Sequence, residues 1–183
     1  AELLRDPEIA EQLPAEVSAT GWLGYPGATE DQLQALESHL GVNLPSSYRA
    51  FLQASNGWRQ ITHFISRMWS TNDVEWFAVR NQDWIDAWTS APSPPVPDDT
   101  YFVYGQEQET INLRSEYLQS ALEISEQGDG AILLLNPEIV SPDGEWEAWF
   151  FANWFPGAAR YRSFQEMMEA QYEEFVLRDS EAG

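Results

Sequence analysis

The chain has 183 residues, of which 30 are Asp or Glu and nine are basic, so its formal net charge is −21. This charge repels phosphate backbones and anionic lipid surfaces, which argues against nucleic-acid and membrane partners and favours a cationic protein partner. Nine Trp and 43% hydrophobic residues predict a folded domain with a sizeable core. Because Cys is absent, disulfides and thiolate metal sites are excluded.

The first part of the chain predicts helices. An acidic helix is expected over Pro7–Leu13, within an N-terminal helical extension that we place at residues 1–21. Thr29 and Gln32 form a capping box that begins a second helix, and Gly41 ends it. No basic and apolar leader pattern stands at the first residues, so we expect a cytoplasmic protein.

A further helix is expected to begin at Pro45, whose ring presets the backbone angle that a helix needs. Its apolar side chains lie on one helical face, and Asn56-Gly57 is expected to end the helix with a left-handed residue. We interpret these residues and their neighbours as architecture. The set is Leu44, Pro45, Tyr48, Phe51, Leu52, Asn56, Gly57 and Trp58.

The middle of the chain is typical of strands, because β-branched and aromatic residues alternate there and turn residues separate the runs. The predicted strands are Ile61–Trp69, Val74–Val79, Tyr101–Tyr104, Leu118–Ser125, Ala131–Leu135 and Glu145–Phe151. One helical turn is expected over Asp83–Trp88, and the proline-rich stretch after it is expected to be an extended loop.

A last helix is predicted from the capping box of Ser163 and Glu166. The fold class is therefore α+β, with a mixed, largely antiparallel sheet of about five or six strands flanked by N-terminal helices and a C-terminal helix. We place a single domain at residues 22–178 and a frayed tail at 179–183.

The segment 41–58 resembles the SUKH superfamily, in particular the branch of the yeast Smi/Knr cell-wall regulators and their bacterial relatives. It carries a Leu-Pro-x-x-Tyr-x-x-Phe-Leu core followed by Asn-Gly. Residues 126–137, residues 143–149 and the helix that begins at Ser163 are similar to later blocks of the superfamily. The resemblance implies an α+β binding protein without catalysis. In bacteria it implies an immunity protein against a toxin, often a nuclease, and in fungi a regulator.

The acidic residues concentrate in residues 81–159, which hold 14 acids and a single basic residue, Arg114. Carboxylates and aromatic anchors are what an inhibitor of a cationic protein presents. A generally acidic surface over an aromatic core is the competing interpretation. As candidate partner-binding residues we take Asp98, Asp99, Glu107, Glu109, Glu145, Glu147, Trp84, Trp88 and Trp146.

Enzyme and metal functions have weaker support. Glu145 and Glu147 alternate with Trp146 and would point the same way from a strand, as acid and base do in a glycosidase, but any acidic exposed strand has this spacing. His39 and His63 lack a partner at metal-ligand spacing. No nucleotide-binding or nucleophile motif is present. We therefore expect no cofactor, no metal and no catalytic residues.

The leading hypothesis is a cytoplasmic immunity protein that binds a toxin domain, which is expected to be basic, with a nuclease as one candidate. The alternative is a regulatory or scaffold protein that docks to cellular partners. A carbohydrate-cleaving enzyme is the third and least supported interpretation.

Overall fold

The computed structural model describes residues 13–59, 64–90 and 94–181, where it combines helices with two antiparallel sheets. Two 3₁₀ helices, Gly105–Glu107 and Ser115–Ser120, also lie in these ranges. The helices are α1 Ala15–Thr20, α2 Glu30–Leu40, α3 Ser46–Ala54, α4 Phe77–Arg80, α5 Gln82–Thr89, α6 Asp98–Tyr101 and α7 Phe164–Glu181. In the described residues, no helix is both long and apolar enough to span a membrane.

The main sheet has five strands in the order β3-β4-β5-β6-β7, so each strand pairs with its neighbours in the chain, and every pair is antiparallel. A two-stranded sheet pairs β1 with β2. The predicted α+β class is therefore confirmed. The strands are β1 Trp58–Arg59, β2 Arg67–Met68, β3 Glu75–Trp76, β4 Leu122–Glu123, β5 Ala131–Val140, β6 Trp146–Ala152 and β7 Ala158–Tyr161.

The five-stranded sheet is buried on both faces, because its alternate side chains enter two separate apolar clusters. In β5, Leu133 and Leu135 enter the first cluster, while Ile132 and Leu134 enter the second. Helices α2, α3 and α7 cover the first face. Helices α4 and α5 and the second 3₁₀ helix cover the other face with Phe77, Ile85 and Leu118, among others. The central strands consequently have an almost continuous hydrophobic sequence.

The predicted helix starts agree with the structure where capping chemistry specifies them. The Thr29 hydroxyl accepts the Gln32 N–H, and the Gln32 side chain accepts the Thr29 N–H in return. Gly41 ends α2 in the left-handed conformation, and Pro45 directly precedes α3 as its cap residue. The helical turn predicted over Asp83–Trp88 lies within α5.

Four strand predictions are wrong in whole or in part. Within its described residues, the predicted strand Ile61–Trp69 has only the two-residue β2 as regular strand. Tyr101–Tyr104 is no strand, since Tyr101 ends α6 and the next three residues have no regular structure. Val74–Val79 forms only the two-residue β3 before α4 begins. The predicted strand Leu118–Ser125 begins as a 3₁₀ helix and has only β4 as regular strand. For Tyr101–Tyr104, Val74–Val79 and Leu118–Ser125, a helical turn places an aromatic or leucine side chain into the core, which outweighs the β propensity of the sequence.

The predicted end of α3 is also wrong. Ser55 caps the helix in an extended conformation, and Gly57 has its positive φ of 92° only afterwards, where the backbone passes close to Met68. Several predictions fall outside the described residues: most of the Pro7–Leu13 helix, residues 61–63 of a predicted strand, residues 91–93 of the proline-rich loop, and the last two residues of the predicted tail. The domain boundaries stay a prediction.

Candidate protein-binding surface

The candidate binding surface is the segment that we call the acidic loop, residues 96–116, which exposes five carboxylates. It follows α5 in the chain, crosses the second face of the sheet and ends in the first turn of the 3₁₀ helix Ser115–Ser120. Pro97 precedes α6, whose first turn carries two exposed carboxylates where the helix dipole favours negative charge. The exposed acids of the loop are Asp98, Asp99, Glu107, Glu109 and Glu116.

Arg114, the only cationic residue of the acidic loop, closes the loop rather than facing solvent. Its guanidinium donates to the main-chain oxygen of Val96 at 2.8 and 3.1 Å and pairs with the carboxylate of Asp98. It also stacks 4.5 Å from the centre of the Tyr101 ring. The two ends of the loop are thereby joined, and its one positive charge is neutralised internally.

Beneath the loop lies the carboxylate of Glu147, a strand β6 residue that is only 1% exposed. It accepts hydrogen bonds from the hydroxyls of Tyr101 at 2.6 Å and Tyr104 at 2.7 Å, and from Asn136 and Trp149 of the sheet at 3.0 and 2.7 Å. Burial, followed by the negative charge of Glu147, raises the pKa of both tyrosines above the ordinary value. Both hydroxyls therefore remain protonated donors.

Arg160 of β7 completes this buried group. Its guanidinium is fully buried, lies 3.8 Å from the Glu147 carboxylate, donates to the main-chain oxygen of Tyr101, and stacks 4.2 Å from the centre of the Tyr101 ring. A buried cation is costly unless a charge of opposite sign accompanies it. Glu147 and Arg160 thus neutralise each other where the loop meets the sheet.

The acidic loop also covers the outer edge of β7. The side chain of Gln108 donates to the Arg160 main-chain oxygen at 2.8 Å and accepts the Arg160 N–H at 2.7 Å, as a neighbouring strand would. The Ala158 N–H donates to the Thr110 oxygen at 3.1 Å. Exposed strand edges are prone to pairing with other chains, and the loop satisfies part of this one.

The described arginines form ion pairs with carboxylates of the same chain. Each arginine whose side chain is described lies within ion-pair distance of a carboxylate: Arg49, Arg59, Arg67, Arg80, Arg114, Arg160 and Arg162. Over the same described ranges, no arginine or histidine pairs with Asp99, Glu107, Glu109 or Glu116. The acidic loop therefore keeps its negative charge available to a partner.

Two apolar side chains stand among these carboxylates. Phe102 is 44% exposed and Ile111 is 65% exposed. Sequence reasoning missed both, because an isolated apolar residue in a polar stretch has no periodicity to reveal its position. An apolar side chain that is surrounded by polar groups can anchor a protein interface when a partner buries it.

The remaining candidates from the sequence are placed elsewhere. Asp98, Asp99, Glu107 and Glu109 lie together in the acidic loop, but three other candidates are buried. Glu145 is 8% exposed, Trp146 is 7% exposed and belongs to the first cluster, and Glu147 lies under the loop. Trp84 and Trp88 are half-buried, packed 5.5 and 5.1 Å from the Phe151 ring. Both tryptophans pack against the second apolar cluster.

Glu145 and Glu147 do not face a shared cleft. Glu145 precedes β6 and accepts the N–H of Ser47 at 2.8 Å, together with the hydroxyls of Ser46 and Ser47, at the start of α3. Helix α3 covers the first face of the sheet, whereas Glu147 lies on the second face beside Trp149. An acid and base pair for sugar cleavage would have to address one bond from both sides. This arrangement does not support that chemistry.

Comparison with known sequences complements the geometry. A sequence model of the SMI1 / KNR4 family (SUKH-1) matches residues 27–170, which include every strand of the main sheet, the acidic loop and the start of α7. A comparison with curated proteins finds no match. Among the described residues, no three His, Asp or Glu side chains are grouped so that they could hold a metal ion.

Proposed function

Since the chain belongs to the SMI1 / KNR4 family (SUKH-1), we propose that it is a non-catalytic binding protein, and more specifically an immunity protein. Its partner would be a toxin domain with a basic surface, such as a nuclease, which it would neutralise by covering the active site or the substrate groove. The family membership supports the binding role. The choice of a basic toxin is supported by the charge of the molecule.

The observation that carries the proposal is the unpaired negative charge of the acidic loop. Every described arginine side chain is engaged internally, while Asp99, Glu107, Glu109 and Glu116 have no cationic partner among the described residues. A surface of this kind attracts a basic protein over long distances and speeds the encounter. Phe102 and Ile111 would then provide the apolar contacts that slow dissociation.

The direct experiment is co-expression with the protein encoded by the neighbouring gene, followed by binding kinetics at low and high salt. In one variant, Asp99→Asn, Glu107→Gln and Glu109→Gln remove three charges from the acidic loop. A matched control removes three exposed charges from α2 and α7 with Asp31→Asn, Glu169→Gln and Glu173→Gln. We expect the association rate constant to fall about tenfold for the loop variant and about twofold or less for the control.

The outcomes separate the possible roles. Rescue of cells that carry a basic toxin, lost in the loop variant and retained in the control, supports immunity through the acidic loop. Equal losses in both variants mean that overall charge, and not this surface, drives binding. A complex with a cellular protein that is not toxic would favour the regulatory or scaffold role. If no complex forms even at low salt and no toxin is neutralised, the immunity proposal is wrong.

A further inference from the structure

We propose that the buried Glu147 is the positioning residue of the acidic loop: it holds the loop in the shape that a partner recognises, although it never contacts the partner itself. The consequence for binding depends on the proposed function. The ordering of the loop does not, because it can be measured in the free protein.

The loop has little regular structure to hold it in place. Between the end of α6 and the 3₁₀ helix at Ser115, residues 102–114 contain no strand and only the short 3₁₀ turn Gly105–Glu107. A segment of this kind loses much conformational entropy when it is ordered, so specific contacts must offset the loss. The contacts that fasten it to the sheet are made largely by side chains.

Glu147 is the centre of these contacts. One carboxylate receives the hydroxyls of Tyr101 and Tyr104, which lie on either side of Phe102. Hydrogen bonds to a buried charged acceptor are about twice as strong as those between neutral groups. The same carboxylate also balances the charge of Arg160, and the main chain of Arg160 in turn holds Gln108.

The sheet thereby sets the position of the exposed charges. Phe102 follows Tyr101 directly, and Glu107 and Glu109 flank Gln108. If Glu147 no longer holds its donors, these partner-facing groups remain on the chain but sample many positions. Binding must then order the loop, which speeds dissociation, whereas the charge that steers the encounter hardly changes.

The first experiment measures amide hydrogen exchange over residues 98–110 in the free protein. Glu147→Gln removes the buried charge but keeps the size of the side chain. Tyr104→Phe removes one hydroxyl donor and is the second variant, needed in case Glu147→Gln does not fold. Glu138→Gln is the control, because it removes one charge from an exposed position on β5. We expect exchange over the segment to be about tenfold faster in Tyr104→Phe, faster still in Glu147→Gln, and unchanged in the control.

The second experiment measures binding to the cationic partner identified by co-expression. For Tyr104→Phe and Glu147→Gln we expect dissociation to be about tenfold faster while the association rate constant changes less than about twofold. Unchanged exchange over residues 98–110 in both variants would overturn the positioning role, whatever happens to binding. Faster exchange with an unchanged dissociation rate would confirm that Glu147 orders the loop but would show that the acidic loop is not the binding surface.

Discussion

At the scale of single residues, two buried glutamates link the sheet to the segments that cover its second face. Glu147 holds the acidic loop, and Glu123 of β4 does the same for the region around α4. The Glu123 carboxylate is 3% exposed and accepts hydrogen bonds from Trp69 and Arg80 at 2.9 Å each and from Asn81 at 2.6 Å. Each carboxylate binds donors that lie more than 40 residues away in the chain.

Replacement of Glu123 tests this arrangement. A glutamine has one acceptor oxygen, and its amide group would face a donor that needs an acceptor. We expect Glu123→Gln to lower the free energy of unfolding by about 2–3 kcal/mol, with part of the loss offset because Arg80 is half-exposed and can be hydrated. Urea unfolding measures the difference.

The control is Glu126→Gln in the same part of the chain. Glu126 pairs with Arg67 at 3.7 Å, and both side chains are nearly half exposed. A pair of this kind contributes less than about 1 kcal/mol. If Glu123→Gln and Glu126→Gln lower the free energy of unfolding by similar amounts, the buried Glu123 carboxylate does not stabilise the fold more than an exposed one does.

At the scale of elements, the acidic loop and the edge of β7 fit together through a glycine. Gly157 precedes β7 with a φ of +79°, and a Cβ atom there would lie 1.7 Å from the main-chain oxygen of Thr110. No side chain fits between the strand and the loop at this point. The contact that lets Thr110 accept the Ala158 N–H therefore requires glycine.

Gly157→Ala should push the acidic loop away from β7. Gly144→Ala is a matched control, since Gly144 has a similar φ of +84° but no atom within 4 Å of the added Cβ. Both variants carry the cost of a left-handed alanine, about 1 kcal/mol. We expect the free energy of unfolding, measured in urea, to fall by about 2 kcal/mol more in Gly157→Ala than in Gly144→Ala. We also expect amide exchange over residues 105–111 to be faster in Gly157→Ala. An equal decrease in the free energy of unfolding in both variants would mean that the loop can move away from β7 without destabilising the protein.

At the scale of the whole molecule, the excess of 30 acids over nine bases causes internal repulsion. The described arginines lower it locally, but Asp99, Glu107, Glu109 and Glu116 of the acidic loop have no cationic partner among the described residues. Salt screens such repulsion over a distance of about 10 Å at 0.1 M. We expect the free energy of unfolding to rise by about 1 kcal/mol between about 20 mM and about 0.5 M NaCl, as measured by thermal or urea unfolding.

The choice of salt provides the check on this prediction. Sulfate stabilises most proteins by exclusion from their surface, so NaCl is the informative salt. Salt also weakens the exposed ion pairs of the arginines, which acts in the opposite direction. A lower stability at the higher NaCl concentration would mean that these pairs outweigh the repulsion.

Sequence reasoning predicted those parts of the fold that local chemistry determines. The capping box of Thr29 and Gln32 and the apolar strands β5 and β6 were predictable, because a short stretch of chain contains their causes. The strand expected over Tyr101–Tyr104 is wrong for a tertiary reason. Its tyrosines donate hydrogen bonds to Glu147, which is more than 40 residues away in the chain. Local β propensity cannot indicate a partner at that distance.

The candidate surface was predictable only where the local sequence determines exposure. Asp98, Asp99, Glu107 and Glu109 lie in a polar stretch beside prolines and glycine, where exposure follows from composition. The pattern around Glu145 and Glu147 fits exposed strand carboxylates equally well. Their burial depends on donors from α3 and from the acidic loop, which only the folded chain brings to them.

The internal pairing of the arginines also affects the tendency of the protein to self-associate. Because the seven arginines whose side chains the structure describes are already paired, they offer no free cation to the acidic loop of a second copy. Two such loops repel each other, so self-association through this surface is disfavoured, most of all at low ionic strength. The charge arrangement that would attract a basic partner thus also keeps the surface free for it at high protein concentration.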